Sequence, residues 1–159
     1  MVDKSVQKIY GDRVRVRACG LCSKGSRLLL VNHAGLYKHD FWAPPGGGIE
    51  FGQSIASTLV REFGEETGLR IKVGEFQFAC EFIHPPFHAV ELFFRVSVTG
   101  GSLSRGSDPE MSETDQLIKD VKYLTDVELG GVPRKHKHGL FKVAKTIEKV
   151  QGLKGYLKI

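Results

Sequence analysis

The 159-residue chain is poor in cysteine (three), methionine (two) and tryptophan (one), and no apolar run approaches the roughly 20 residues a membrane-spanning helix needs. Cys19, Cys22 and Cys80 are too few for a disulfide scaffold and odd in number, which suits a reducing compartment. The amino-terminal Met-Val-Asp-Lys-Ser lacks the hydrophobic stretch of a secretory signal. A cytoplasmic location without membrane contact is therefore expected. At 41% hydrophobic and 26% charged residues the chain is too apolar for a disordered tail. Its length suits a single domain over residues 1–159.

The formal charge of +5 is unevenly spread. From Arg134 onward eight Lys or Arg face Glu148 alone, whereas residues 1–133 hold 15 basic and 17 acidic side chains. Only the tail is basic. It contains no aromatic-interleaved nucleic-acid motif, so a solvated helix face is the expected reading and nucleic acid is not an expected partner.

Residues 13–22 and 27–32 read as two strands of a hairpin around Ser23-Lys24-Gly25-Ser26. From Tyr37 to Gly52, Pro44-Pro45-Gly46-Gly47-Gly48 marks an irregular loop with a short extended piece. Ser54 is a fitting N-cap for the best helix of the chain. Ile55, Ala56, Leu59, Val60 and Phe63 follow at helical spacing, and Gly68 suits the left-handed position after the last turn. Strands are expected over 71–82 and 89–98, joined through residues 84–88, and again over 117–124. The polar stretch from Thr99 to Gln116 reads as functional or mobile, and residues 138–151 as an amphipathic closing helix. Strands on both sides of a central helix, with another helix last, predict an α/β sandwich around a mixed sheet.

The chemistry concentrates in Gly46-Gly47-Gly48 and in Arg61-Glu62-Phe63-Gly64-Glu65-Glu66-Thr67-Gly68-Leu69. At about 100° per residue, Glu62, Glu65 and Glu66 share one sector that borders the apolar face. Like charges at these spacings repel, and the helix C-terminus disfavours negative charge. A hard divalent cation reverses the sign of that energy, because carboxylate oxygens suit Mg²⁺ or Mn²⁺ and Mg²⁺ commonly brings a phosphate along. The glycine run lets backbone atoms approach a metal or phosphate. Gly64, mid-helix at about 1 kcal/mol relative to alanine, implies a close neighbouring backbone.

The combined spacing resembles the Nudix box, G-x5-E-x7-R-E-U-x-E-E-x-G-U with U a bulky apolar residue. Gly47, Arg61, Glu62, Phe63, Glu65, Glu66, Gly68 and Leu69 match, and Gln53 stands where the pattern has its first glutamate. The resemblance implies a Nudix-type α/β/α sandwich and Mg²⁺-dependent hydrolysis (Mn²⁺ as alternative) of a nucleoside diphosphate linked to another moiety. Glu62, Glu65, Glu66 and the Gly46 carbonyl are then expected to hold the metal, with Arg61 orienting the cluster. Gln53 is expected to bond Arg61 through its amide oxygen, without charge. The general base is expected among the box glutamates, or at Glu110 or Glu113, where such proteins often place an additional acid.

Pro85 lies sixteen residues beyond Leu69, a spacing seen in Nudix enzymes that resemble ADP-ribose pyrophosphatases. ADP-ribose or another nucleotide sugar is the leading expectation and a noncanonical nucleoside triphosphate the next. Phe41, Trp42, Phe82 and Phe87 are candidates to stack on a base. Cys19-Gly20-Leu21-Cys22 has no partner motif and reads as core or edge. His136 and His138, flanked by cations that repel a metal, read as solvated rather than metal-bound; His33, His39, His84 and His88 border predicted strand ends and are candidates to touch substrate. Because of Gln53, a non-catalytic nucleotide-sensing or partner-binding module stays open as an alternative, and a second copy of the chain is kept as a candidate partner.

Overall fold

The computed structural model describes residues 4–33, 39–107, 109, 111–113 and 116–159. The strand β1 (Val14–Lys24) is buried on both faces from Ala18 to Cys22, so it must lie inside a sheet with a layer on either side. It runs parallel to β6 (Phe87–Gly101), from Val14 opposite His88 to Cys22 opposite Val96, and its other edge pairs with β4 (Gly46–Gly48). Beyond β6 lie β5 (Leu69–His84) and the short β8 (Gly155–Leu157). A two-residue turn sends β2 (Arg27–His33) away from β1 to pair with β7 (Ile118–Leu124) and β3 (Trp42–Ala43).

The period-two alternation of β1 sorts the core into two layers. Ala18 and Cys22 face Leu59 and Phe63 of α2 (Ile55–Thr67), together with Leu29 and Val31. Cys19 and Leu21 face Phe78, Phe93 and the apolar residues of the C-terminal segment. This is the expected α/β/α sandwich around a mixed sheet. The helix α2 is bounded as its sequence predicts: Ser54 Oγ accepts from Ser57 N at 3.0 Å, and Gly68 takes φ 72°. All three cysteines are buried free thiols. No helix among the described residues is long and apolar enough to cross a membrane.

Several elements depart from expectation. The β5–β6 hairpin closes through Pro85-Pro86 alone, because cross-strand pairing continues to His84 opposite Phe87. The helices α1 (Lys4–Tyr10) and α3 (Asp126–Gly131) lie outside the predicted elements, although Thr125 and Glu128 form a capping box that signals the second. The single closing helix is instead α4 (Leu140–Val143) and α5 (Ile147–Gln151). Thr146 caps α5 by accepting from Lys149 N, and Asp126 accepts from Ile147 N, which stops one helix and starts another. Leu140, Phe141, Ala144, Ile147 and Val150 are buried all the same.

Gly64 has no close backbone neighbour; a Cβ there would meet nothing within 4 Å. The approach falls one turn later. Ser104, Gly106 and Ser107 donate backbone N–H groups to the carbonyls of Thr67, Glu66 and Glu65 at 2.9, 3.0 and 3.1 Å. Part of the polar stretch is thus a strap that satisfies the orphan carbonyls of the helix end.

The reading of His138 as solvated is overturned, while His136 stays partly exposed. His136 stacks on His39 with centroids 4.4 Å apart, and His138 is 2% exposed. The chain from Lys137 to His138 pairs with Trp42, which turns the second imidazole inward despite its cationic neighbours. Leu140 N donates to His138 Nδ1, so the ring proton sits on Nε2, 2.5 Å from Glu91 Oε2. Arg17 Nη1 donates to the other Glu91 oxygen at 2.8 Å. Burial alone would raise the Glu91 carboxyl, but His138 and Arg17 outweigh it and hold the group at about 2.

A depressed carboxyl contributes stability that is full above its unfolded value and is lost as pH falls through the folded one. Urea unfolding midpoints should therefore drop as pH is lowered from the ordinary 4.5 toward 2. Glu91→Gln should flatten that part of the profile and, by stranding Arg17, lower stability at pH 7 by about 3–5 kcal/mol.

Candidate active site

Two elements make the site. The helix α2 carries Glu62, Glu65 and Glu66, and β4 is held beside it through the β1 ladder, with Ala18 opposite Gly47 and Cys19 opposite Gly46. Helix and strand approach closely. A Cβ on Gly47 would overlap the Glu62 carboxylate, so residue 47 must be glycine for that carboxylate to lie where it does. Gly46 N donates to Glu66 Oε2 at 2.9 Å. Arg61 Nη1 lies 2.8 Å from Glu62 Oε1 and 3.1 Å from Glu65 Oε2, and its Nη2 donates to the Gly48 carbonyl at 3.3 Å.

These groups line a cleft of about 570 Å³, which also takes in Arg17, His33, Phe41, Phe82 and Phe87. The three carboxylates differ in exposure: 14% for Glu62, 28% for Glu65 and 9% for Glu66. Burial, with Glu65 adding repulsion, pushes the Glu62 carboxyl up in spite of Arg61. Burial would lower Arg61, but Glu62, Glu65 and Glu50 together raise it. Burial and then Arg17 lower His33 to about 3, so it is neutral at pH 7 and stands 3.9 Å from Glu66 without a charge to offer. The Arg61 guanidinium thus contacts a tight group of acids, with Arg17 adding attraction from the cleft wall. Hard oxygen donors that crowd together at an electrostatic cost fit a divalent cation such as Mg²⁺ or Mn²⁺.

Gln53 behaves as its amide allows. Its Oε1 accepts from Arg61 Nε at 3.4 Å and from Thr58 Oγ1 at 3.3 Å, while its Nε2 donates to Glu50 Oε2 at 3.0 Å. A second Glu50 oxygen lies 3.8 Å from Arg61 Nη2. The charge missing at residue 53 is partly supplied from residue 50, a contribution that local spacing in the box does not reveal.

Other expected residues scatter. Phe41 reaches the cleft and meets Phe82 edge-on at 6.1 Å. Trp42, one residue on, takes the opposite face of a short strand and packs in the core with Lys122 over its ring at 5.5 Å, so it is not a wall of the cleft. Pro85 is exposed at the hairpin tip; the alternation of the paired strands gives Phe82, Phe87 and Ala89 to the cleft instead. Glu113 is exposed and lines an adjoining cleft that shares Glu65 and Ser107 with the first. Glu110 lies outside the described residues.

Cys80, Glu91 and His138 form a second cluster whose ligand atoms lie within 4.8 Å of one another. Its hydrogen bonds speak against a metal there. The His138 Nε2 proton points to Glu91, Nδ1 accepts from Leu140, and Arg17 holds the remaining Glu91 oxygen. Sequence reasoning missed Arg17, whose only signal was the alternation Arg13, Arg15, Arg17 at the start of β1.

A family model described as NUDIX domain matches residues 11–141. An ADP-ribose pyrophosphatase of Methanocaldococcus jannaschii is 31% identical over 111 residues, 69% of this chain and 66% of the relative. The match thus spans just under two thirds of that protein's length. Human diphosphoinositol polyphosphate phosphohydrolase 3-alpha is 30% identical over 134 residues, 74% of this chain and 80% of the relative. Among solved structures, a MutT NUDIX hydrolase from Burkholderia pseudomallei superposes with a TM-score of 0.68 at 18% identity, covering 87% of this chain and 98% of that one.

The clearance at Gly47 can be probed directly. Gly47→Ala should weaken Mn²⁺ binding about tenfold in isothermal titration calorimetry, because the added methyl displaces Glu62, while the far-ultraviolet circular dichroism stays unchanged.

Proposed function

The chain belongs to the NUDIX domain family, a family of pyrophosphohydrolases, and from that premise we propose that it hydrolyses the phosphoric anhydride of a nucleoside diphosphate linked to a second moiety. ADP-ribose or a nucleotide sugar is the favoured substrate, and a noncanonical nucleoside triphosphate the next. The observation that carries this reading is the gathering of Glu62, Glu65, Glu66 and the Gly46–Gly48 backbone on one cleft with an aromatic wall. Its volume falls in the range of small-ligand sites, about 300–1,000 Å³.

In this reading Glu62, Glu66 and the Gly46 carbonyl hold the metal together with Glu65, and Arg61 keeps the carboxylates converged. A divalent cation bound there supplies charge neutralisation at the anhydride and a lowered pKa for water. Glu65 has the most exposed carboxylate of the three and is the group we assign to take the proton of the attacking water. Phe41 and Phe82 present ring edges and faces that suit a base. The bond between Gln53 and Arg61 favours a working catalyst over a non-catalytic module, since the arginine is still oriented.

A panel of ADP-ribose, nucleotide sugars, nucleoside triphosphates and a diphosphoinositol polyphosphate, with Mg²⁺ or Mn²⁺ and with products identified, tests the proposal. Turnover of the first two classes above the others is expected; no turnover of any would exclude catalysis on them. Glu66→Gln should lower the rate by at least about a hundredfold with the fold retained. Gln53→Glu should change it by less than about threefold, since the amide already orients Arg61. A large gain in rate would mean that Gln53 had disabled the site.

A further inference from the structure

Behind the Gly46 carbonyl lies a charged chain that the proposed reaction leaves unused. Arg17, on the cleft wall, donates from Nη2 to the Gly46 carbonyl at 2.9 Å and from Nη1 to Glu91 at 2.8 Å. Glu91 accepts from His138 at 2.5 Å, and both of those side chains are essentially inaccessible. Buried ionic networks of this kind are poor stabilisers, since well-packed apolar residues of the same volume often do as well. Arg17 Nε is also buried with no hydrogen-bond partner among the described residues. An arrangement that leaves a buried donor unsatisfied while keeping both Nη contacts holds a geometry at the expense of stability.

What it holds is one peptide. Gly46 is pinned at its carbonyl by Arg17 and at its amide by Glu66 Oε2, 2.9 Å away. A carbonyl oxygen has two lone pairs, so the bond from Arg17 leaves one available. The Glu91 carboxylate offsets the guanidinium charge, which lessens its repulsion of a cation at that oxygen.

We infer that Arg17, braced by Glu91 and His138, is a positioning residue that aims the Gly46 carbonyl at the cation held by the α2 carboxylates. The inference rests on the metal-dependent reading of the site given above. The brace reaches across the fold, because the backbone of His138 donates to the Trp42 carbonyl at the end of the segment that leads to Gly46. A lysine at residue 17 would keep a cation beside Glu91, but its point charge cannot span two acceptors as a guanidinium fork does.

Three measurements on metal-free protein test this for Arg17→Lys and His138→Gln against wild type: Mn²⁺ affinity by calorimetry, urea unfolding, and amide hydrogen exchange of the peptide covering 43–49. Arg17→Lys should weaken Mn²⁺ binding about tenfold and speed exchange within that peptide while the urea midpoint stays near wild type. His138→Gln, one link further out, should shift both in the same direction by less. A folded Arg17→Lys protein with affinity and exchange within twofold of wild type overturns the inference and leaves the metal-dependent function standing. Affinity lost only in step with faster exchange throughout the chain also overturns it, since Arg17 is then a residue of general stability. If Arg17→Lys does not fold, His138→Gln decides: local loosening with weaker Mn²⁺ supports the brace, and no change overturns it. A wild type that binds no Mn²⁺ sinks the functional reading and the inference together.

Discussion

The repulsion among three carboxylates near the C-terminal end of α2 is the constraint around which the rest of the site is arranged. Helical spacing places Glu62, Glu65 and Glu66 within one sector, and the negative pole of the helix adds to their discomfort. Arg61 answers for two of them, and the Gly46 amide for the third. The strap at residues 104–107 brings three backbone N–H groups to the same helix end, which satisfies its carbonyls and opposes its partial charge. Each of these devices lowers the energy of an acidic cluster that still lines the cleft.

Two buried carboxylates in this protein make an instructive contrast. Glu91 sits between a guanidinium and an imidazole N–H, and those partners hold it ionised far below the usual range. Glu66 sits against a backbone amide and a histidine that burial keeps neutral. Glu91 lies between two built-in donors and Glu66 lines the cleft, so burial alone does not distinguish the two environments. The same comparison explains why Cys80, Glu91 and His138, with ligand atoms within 4.8 Å of one another, form a hydrogen-bonded core.

Gln53 shows how a departure from a motif can be absorbed nearby. The amide lies between Arg61 and Glu50, accepting from one and donating to the other, which a carboxylate could not do. A carboxylate at residue 53 would meet Glu50 with like charge. The two positions therefore form a unit, and the chemistry of one is intelligible only with the other in view.

Sequence alone determined what depends on neighbours along the chain. The caps at Ser54 and Gly68, the acidic sector of α2 and the hairpin of β1 and β2 all follow from local periodicity and φ/ψ preference. Tertiary structure alone decided what depends on strand register and chain return. Pairing with Trp42 turned His138 inward, alternation sent Phe41 and Trp42 to different faces, and the parallel ladder of β1 and β6 set Arg17 opposite Glu91. Those contacts join residues tens of positions apart, and no local propensity encodes which of them will meet.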